Sequence, residues 1–140
     1  MSPNELRLDT VRDALFSAFP ELLERIWATF GSYYRLEDGT PDETPGVYPI
    51  FEDIVKELLF ELLETCEDEA MLIRLFQFFE EMASSAGLSI SRDLLGIAIL
   101  EPLVCRKEAL RSSWGYMGPK MKELAVQEAD QQGRPESLPD

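Results

Sequence analysis

Apolar residues recur at helical spacing along most of the chain, and no segment alternates convincingly with period two. The longest such pattern runs from Val47 to Glu69, VYPIFEDIVKELLFELLETCEDE. In it Ile50, Phe51, Ile54, Val55, Leu58, Leu59, Leu62 and Leu63 form a wide apolar stripe. Asp53, Glu57, Glu61 and Glu64 recur on the opposite side at i, i+4, i+8 and i+11. The spacing predicts one amphipathic helix with Pro49 at its first position and an end near Thr65–Glu67.

The other elements follow from the same reading. Ser2, Pro3 and Glu5 mark a helix start, and Leu8, Val11, Leu15, Phe16 and Phe19 form its stripe. Pro20 resets the chain before a short helix with Leu22, Leu23, Ile26, Trp27 and Phe30 on one face, closed by Gly31. Residues 31–48 show no period and read as a loop, acidic in its second half. Asp68 can cap a helix over 68–86, whose stripe of Met71, Leu72, Leu75, Phe76, Phe78, Phe79, Met82, Ala83 and Ala86 is wide enough for a central position. The very short link makes this helix and the one before it an antiparallel αα-hairpin.

Gly87 ends that helix, and Ser91 is the expected cap of the next, with Ile90 and Leu95 as a hydrophobic staple. Leu94–Leu100 is nearly all apolar and reads as buried on most sides. Pro102 should kink or stop the helix. Arg106–Ser113 resumes it, SSWGYMGP breaks it, and Gly118-Pro119 opens a last helix with Met121, Leu124, Ala125 and Val126. Trp114, Tyr116 and Met117 should pack onto that helix. The expected fold is all-α, with six to seven helices in antiparallel pairs, as a compact bundle or a HEAT-like stack. One domain should span residues 1–129, with a disordered tail at 130–140.

Charge changes this picture. The 140 residues include 27 acidic and 13 basic side chains, net −14. Residues 37–69 hold 12 acids against Lys56 alone, net −11, so the excess sits on one loop and one helix. Such a surface repels nucleic acid and anionic membranes and suits a basic partner, a cation or solubility. Cys66 and Cys105, in apolar surroundings, read as two reduced and mostly buried thiols. The first residues show no basic-then-apolar leader pattern, and the longest apolar run is far too short to span a membrane, so a cytoplasmic protein is expected.

Little enzymology is available. The chain has no histidine, which removes Ser–His and Cys–His nucleophile systems from within it. It contains no phosphate-cradling glycine loop and no CxxC. Asp53, Glu57 and Glu61 could ligate Mg²⁺ or Ca²⁺ with help from another helix, and Glu80, Glu81 and Glu101 are weaker acid candidates. A cleft that sets two carboxylates apart is not indicated, so no catalytic residue, bound metal or cofactor is expected. Recognition of a partner suits the pattern better. Phe60 interrupts the stripe beside the acidic ridge and could anchor in a basic surface. The expected partner-binding set is Glu37, Asp38, Asp42 and Glu43 on the loop with Asp53, Glu57, Phe60, Glu61 and Glu64 on the helix.

Four segments carry a resemblance. They are Tyr48, Pro49, Phe51, Asp53, Val55, Leu58 and Leu59 (YPxFxDxVxxLL); Leu72 to Ala83 (LxRLFxFFExMA); Ile99–Leu103 (ILEPL); and Met117–Pro119 (MGP). Over roughly residues 47–125 the chain resembles a group of small acidic all-helical bacterial proteins, some of them encoded beside polymorphic toxins and read as their immunity proteins. The resemblance implies a cytosolic immunity, or antitoxin-like, protein that binds and blocks a basic protein toxin through its acidic helix face and loop. Two alternatives stay open: a DNA mimic that inhibits a nucleic-acid-binding protein, and a carboxylate metal-binding protein.

Overall fold

A computed structural model describes residues 8–22, 24, 47–84 and 89–139. Among these residues there are six helices and no strand, so the fold is all-α. Helix α1 is Leu8–Ala18, α2 spans 47–65, α3 is Glu69–Ser84, α4 spans 89–105, α5 is Lys107–Trp114 and α6 is Pro119–Gln131. Most of the short helix expected after Pro20, and residues 31–46 of the expected loop, lie outside the described residues.

Helices α2 and α4 share an irregularity. Each contains one π-helical turn, Phe51–Val55 in α2 and Gly96–Leu100 in α4, and the two turns pack against each other in the core. The turn in α4 also explains why Pro102 does not stop the helix, which runs on to Cys105. A proline ring normally collides with the carbonyl four residues back. Here that carbonyl, on Ala98, belongs to the widened turn, whose end is closed by the Glu101 N–H donating to the Gly96 carbonyl.

The hairpin of α2 and α3 forms as its short link requires. Cys66 closes α2 in the left-handed conformation, φ 54°, and its N–H donates to the Leu62 carbonyl at 2.9 Å. Asp68 then caps α3, its Oδ1 accepting from the Met71 N–H at 3.0 Å. The expected stripes are buried: Ile50, Phe51, Ile54, Val55, Leu58, Leu59 and Leu62 from α2, and Leu72, Leu75, Phe76, Phe78, Phe79, Met82 and Ala83 from α3. Each such side chain is worth about 1.5–3 kcal/mol of transfer from water. Helix α3 packs against α2, α4 and α6, and α6 also packs on α4. Contacts of this kind between elements distant in sequence make a closed bundle rather than a one-dimensional stack.

Several expectations need correction. Helix α2 runs from Val47, so Pro49 stands third in it rather than first. The fourth helix begins at Ser89, not after a cap at Ser91. Ile97 is 51% exposed and Val126 45% exposed, because each points away from the face its helix buries. Cys66 and Cys105 are both free but exposed, since they stand at helix ends rather than on the stripes. Tyr116 packs elsewhere than on the last helix, as described below. The disordered tail expected at 130–140 is an ordered return of the chain through residue 139. Gly133, φ +67°, ends α6, with the Arg134 N–H reaching the Ala129 carbonyl at 2.8 Å and the Gly133 N–H the Asp130 carbonyl at 3.1 Å. A 3₁₀ turn, Pro135–Ser137, then lies on α5, where Arg111 Nη2 donates to the carbonyls of Glu136 and Leu138 at 3.3 and 3.4 Å.

Candidate functional site

The outer face of α2 carries the charge that the sequence concentrates there. Asp53, Glu57, Glu61 and Glu64 are all exposed, while Ile54, Val55, Leu58, Leu59, Phe60 and Leu62 between them are buried. The ridge therefore projects from a helix held in place by Leu58, Leu59 and Leu62 packed in the core. Beyond Glu64, the exposed Glu67, Asp68 and Glu69 extend the acidic surface across the link to α3. The loop acids Glu37, Asp38, Asp42 and Glu43 lie outside the described residues.

Phe60 does not stand out as a free anchor. It is 8% exposed, and the Arg106 guanidinium lies 4.4 Å from its ring centroid. The sequence pattern hides this cover because Arg106 interrupts what reads as one helix. With φ −117° and ψ 87° it breaks α4 from α5 and turns the chain back over α2. Phe60, Arg106, Leu63, Glu64, Glu108 and Ala109 line a groove of about 560 Å³ between α2 and α5, with Lys107 and Ser112 at the same opening. A second groove, of about 330 Å³, runs between α4 and α6 past Gly96, Ile97 and Leu124.

Other arginines hold backbone oxygens. Arg74 Nη2 donates to the Ala18 carbonyl at 2.6 Å, at the end of α1, while its Nη1 pairs with Glu21 at 3.1 Å and its guanidinium covers Phe19. Arg92 Nε donates to the Ala83 carbonyl at 3.3 Å near the end of α3. A cation suits a helix C-terminus, where unpaired carbonyls carry partial negative charge. Among the described residues Arg74, Arg92 and Arg111, three of the chain's 13 bases, are thus engaged on carbonyls.

One candidate acid has a structural job. Glu80 of α3 reaches the start of α6, where Oε1 accepts from the Lys120 N–H at 2.7 Å and Oε2 from the Met121 N–H at 3.1 Å. These are orphan donors of the first turn, and a carboxylate from a neighbouring helix replaces the usual capping side chain. Gly118 makes room for it, since a Cβ at 118 would collide with the Glu80 side chain. The FFExMA and MGP segments thus meet in one contact that needs both.

The aromatic turn divides its contacts. Met117 is buried and Trp114 lies under Lys122 of α6, with Nζ 5.5 Å from its ring. Tyr116 instead stacks on Phe76 of α3, centroids 6.0 Å apart, and its hydroxyl donates to Glu69 Oε1 at 3.4 Å. Burial and the adjacent Glu69 charge raise the Tyr116 phenol above its ordinary value. The described residues hold no group of three or more Cys, Asp and Glu side chains placed to bind a metal ion. Nor is any of their helices long and apolar enough to cross a membrane.

The sequence model of a domain of unknown function, DUF7674, matches residues 12–133, so the chain belongs to that family. No curated protein and no solved structure matches.

Proposed function

We propose that this member of the DUF7674 family is a cytoplasmic binding protein without enzymatic activity, an immunity-type inhibitor that captures a basic protein toxin on its acidic α2 face and blocks it. The observation that carries this reading is the exposed row Asp53, Glu57, Glu61 and Glu64 on a helix whose other face is locked in the core. Repulsion within such a row costs a helix about 0.2–0.5 kcal/mol per i,i+4 pair. The row does speed encounter with an oppositely charged surface, and it rejects nucleic acid and acidic partners. Phe60 enters this reading as the floor of the adjoining groove rather than as a protruding anchor.

The partner to test is the product of the neighbouring reading frame. Association with the wild type should be fast at low salt and slow steeply as salt rises. Reversing both Glu57 and Glu61 to Lys should slow association at least about tenfold while leaving the circular dichroism spectrum unchanged. An unchanged rate in the folded double variant removes the ridge from the interface.

A further inference from the structure

We infer that the Phe60 groove is a receptor for an arginine side chain of the basic partner, and that Arg106 occupies this seat in the free protein. The inference rests on the acidic-face reading and specifies which basic side chain that face selects.

Three observations place the seat. The Arg106 guanidinium already lies over the Phe60 ring at 4.4 Å, so the ring accepts a planar cation in this position. Arg106 is exposed and makes no ion pair among the described residues, so the ring is its main side-chain attachment and exchange breaks little else. The groove of about 560 Å³ beside the ring is larger than one guanidinium needs, and Glu64 and Glu108 both line it. On α2 itself, Glu57 lies one turn before Phe60 and Glu64 one turn after it, on the same side of the helix. An arginine arriving from a partner would meet carboxylates able to take its N–H fork and an aromatic face to stack on. Lys107 opposes it, as does Arg106 until it swings out.

A lysine would gain from the same negative charge but less from the ring and the fork, so the predicted signature is a preference for arginine over lysine. Fluorescein-labelled hexa-arginine and hexa-lysine peptides provide the test, by fluorescence anisotropy at low salt. Removing a positive charge with Arg106→Ala should tighten both peptides slightly, and should tighten hexa-arginine a further three- to tenfold (roughly the range of one cation–π contact). Phe60→Leu should abolish the arginine preference. Because Phe60 is buried, Arg106→Gln serves as a second variant that leaves the core alone, and it should raise the arginine preference as Arg106→Ala does. Equal tightening of both peptides in the two Arg106 variants, or no tightening, overturns the seat, and so does a gain for hexa-glutamate in the wild type over both basic peptides. The Glu57→Lys/Glu61→Lys variant separates the two readings. If it leaves both basic peptides bound as before, the acidic-face reading fails, whereas weaker binding there together with equal tightening of both peptides in the Arg106 variants overturns the seat alone.

Discussion

The junction of α3 with α6 and the outer face of α2 both present glutamates, and the two places use them in opposite ways. At the junction one carboxylate, Glu80, is half-buried and accepts two backbone N–H groups of another helix. On α2, Glu57 and Glu64 stand exposed along one ridge, beside a layer of leucines packed in the core. The same side chain is therefore part of the fold in one region and surplus to it in the other. Charge that the fold does not use is the charge available for a partner, and substitutions that treat the two regions alike expose the difference.

The largest effect is expected at Glu80. Glu80→Ala leaves the first-turn donors of α6 without their carboxylate and should lower stability by about 2 kcal/mol, read as a lower urea midpoint with an unchanged slope. Gly118→Ala should cost about 1–2 kcal/mol by pushing the carboxylate off its donors. Gly118 has φ −79° and ψ 176°, a conformation open to any residue, so space and not backbone freedom is what it supplies. The double variant tests this directly: in the Glu80→Ala background the Gly118→Ala cost should largely vanish. Additive losses would mean that the two residues act separately.

A smaller effect, of opposite sign, is expected at the turn between α2 and α3. Cys66 holds φ 54°, which strains any residue with a Cβ. Cys66→Gly should raise stability by about 0.5–1 kcal/mol in the same denaturation experiment. Both native thiols should also react at once with a soluble disulfide reagent, since both are exposed.

How much of this was legible in the sequence depends on which force decided each element. The stripes of α2 and α3 were legible because burial of apolar residues acts over whole helices, and Asp68 was legible because capping is local. The turn at Gly133 and the cover over Phe60 were not. The first depends on Arg111 reaching carbonyls 25 and 27 residues further along the chain, and the second on a break at Arg106 that leaves the apolar pattern undisturbed. Glu80 and Gly118-Pro119 were visible as motifs, but their joint role appears only when α3 and α6 are side by side. Of the proposed site, the row on α2 could be read from spacing alone, while Arg106 and Glu108 come from a segment whose charge is nearly balanced.

Tyr116 gives the comparison a pH dependence. Its phenol is raised by burial and by Glu69, so the folded chain keeps that proton where the unfolded chain has begun to lose it. Stability is fully present below the ordinary tyrosine value near 10, and falls as pH rises from there through the raised value. Absorbance at 295 nm should show one tyrosine titrating later than the free side chain. Glu69→Gln should bring it back toward the ordinary value, and a titration insensitive to that change would remove the Glu69 contact.

The smallest effect on stability is expected where the charge is greatest. Glu57→Gln with Glu61→Gln removes two charges from the ridge and touches no core side chain. Glu61 has interactions of its own, so a small loss from that residue is set against relief of repulsion along the helix. The net change should stay within about 0.5 kcal/mol in either direction, at most about a quarter of the Glu80→Ala loss. Added salt should narrow the gap between wild type and variant further, because screening relieves the same repulsion. A loss comparable with that of Glu80→Ala would place the ridge among the fold's own supports, and the distinction between used and surplus carboxylates would collapse. A near-zero change together with slower capture of the neighbouring gene product would assign these two glutamates to binding alone.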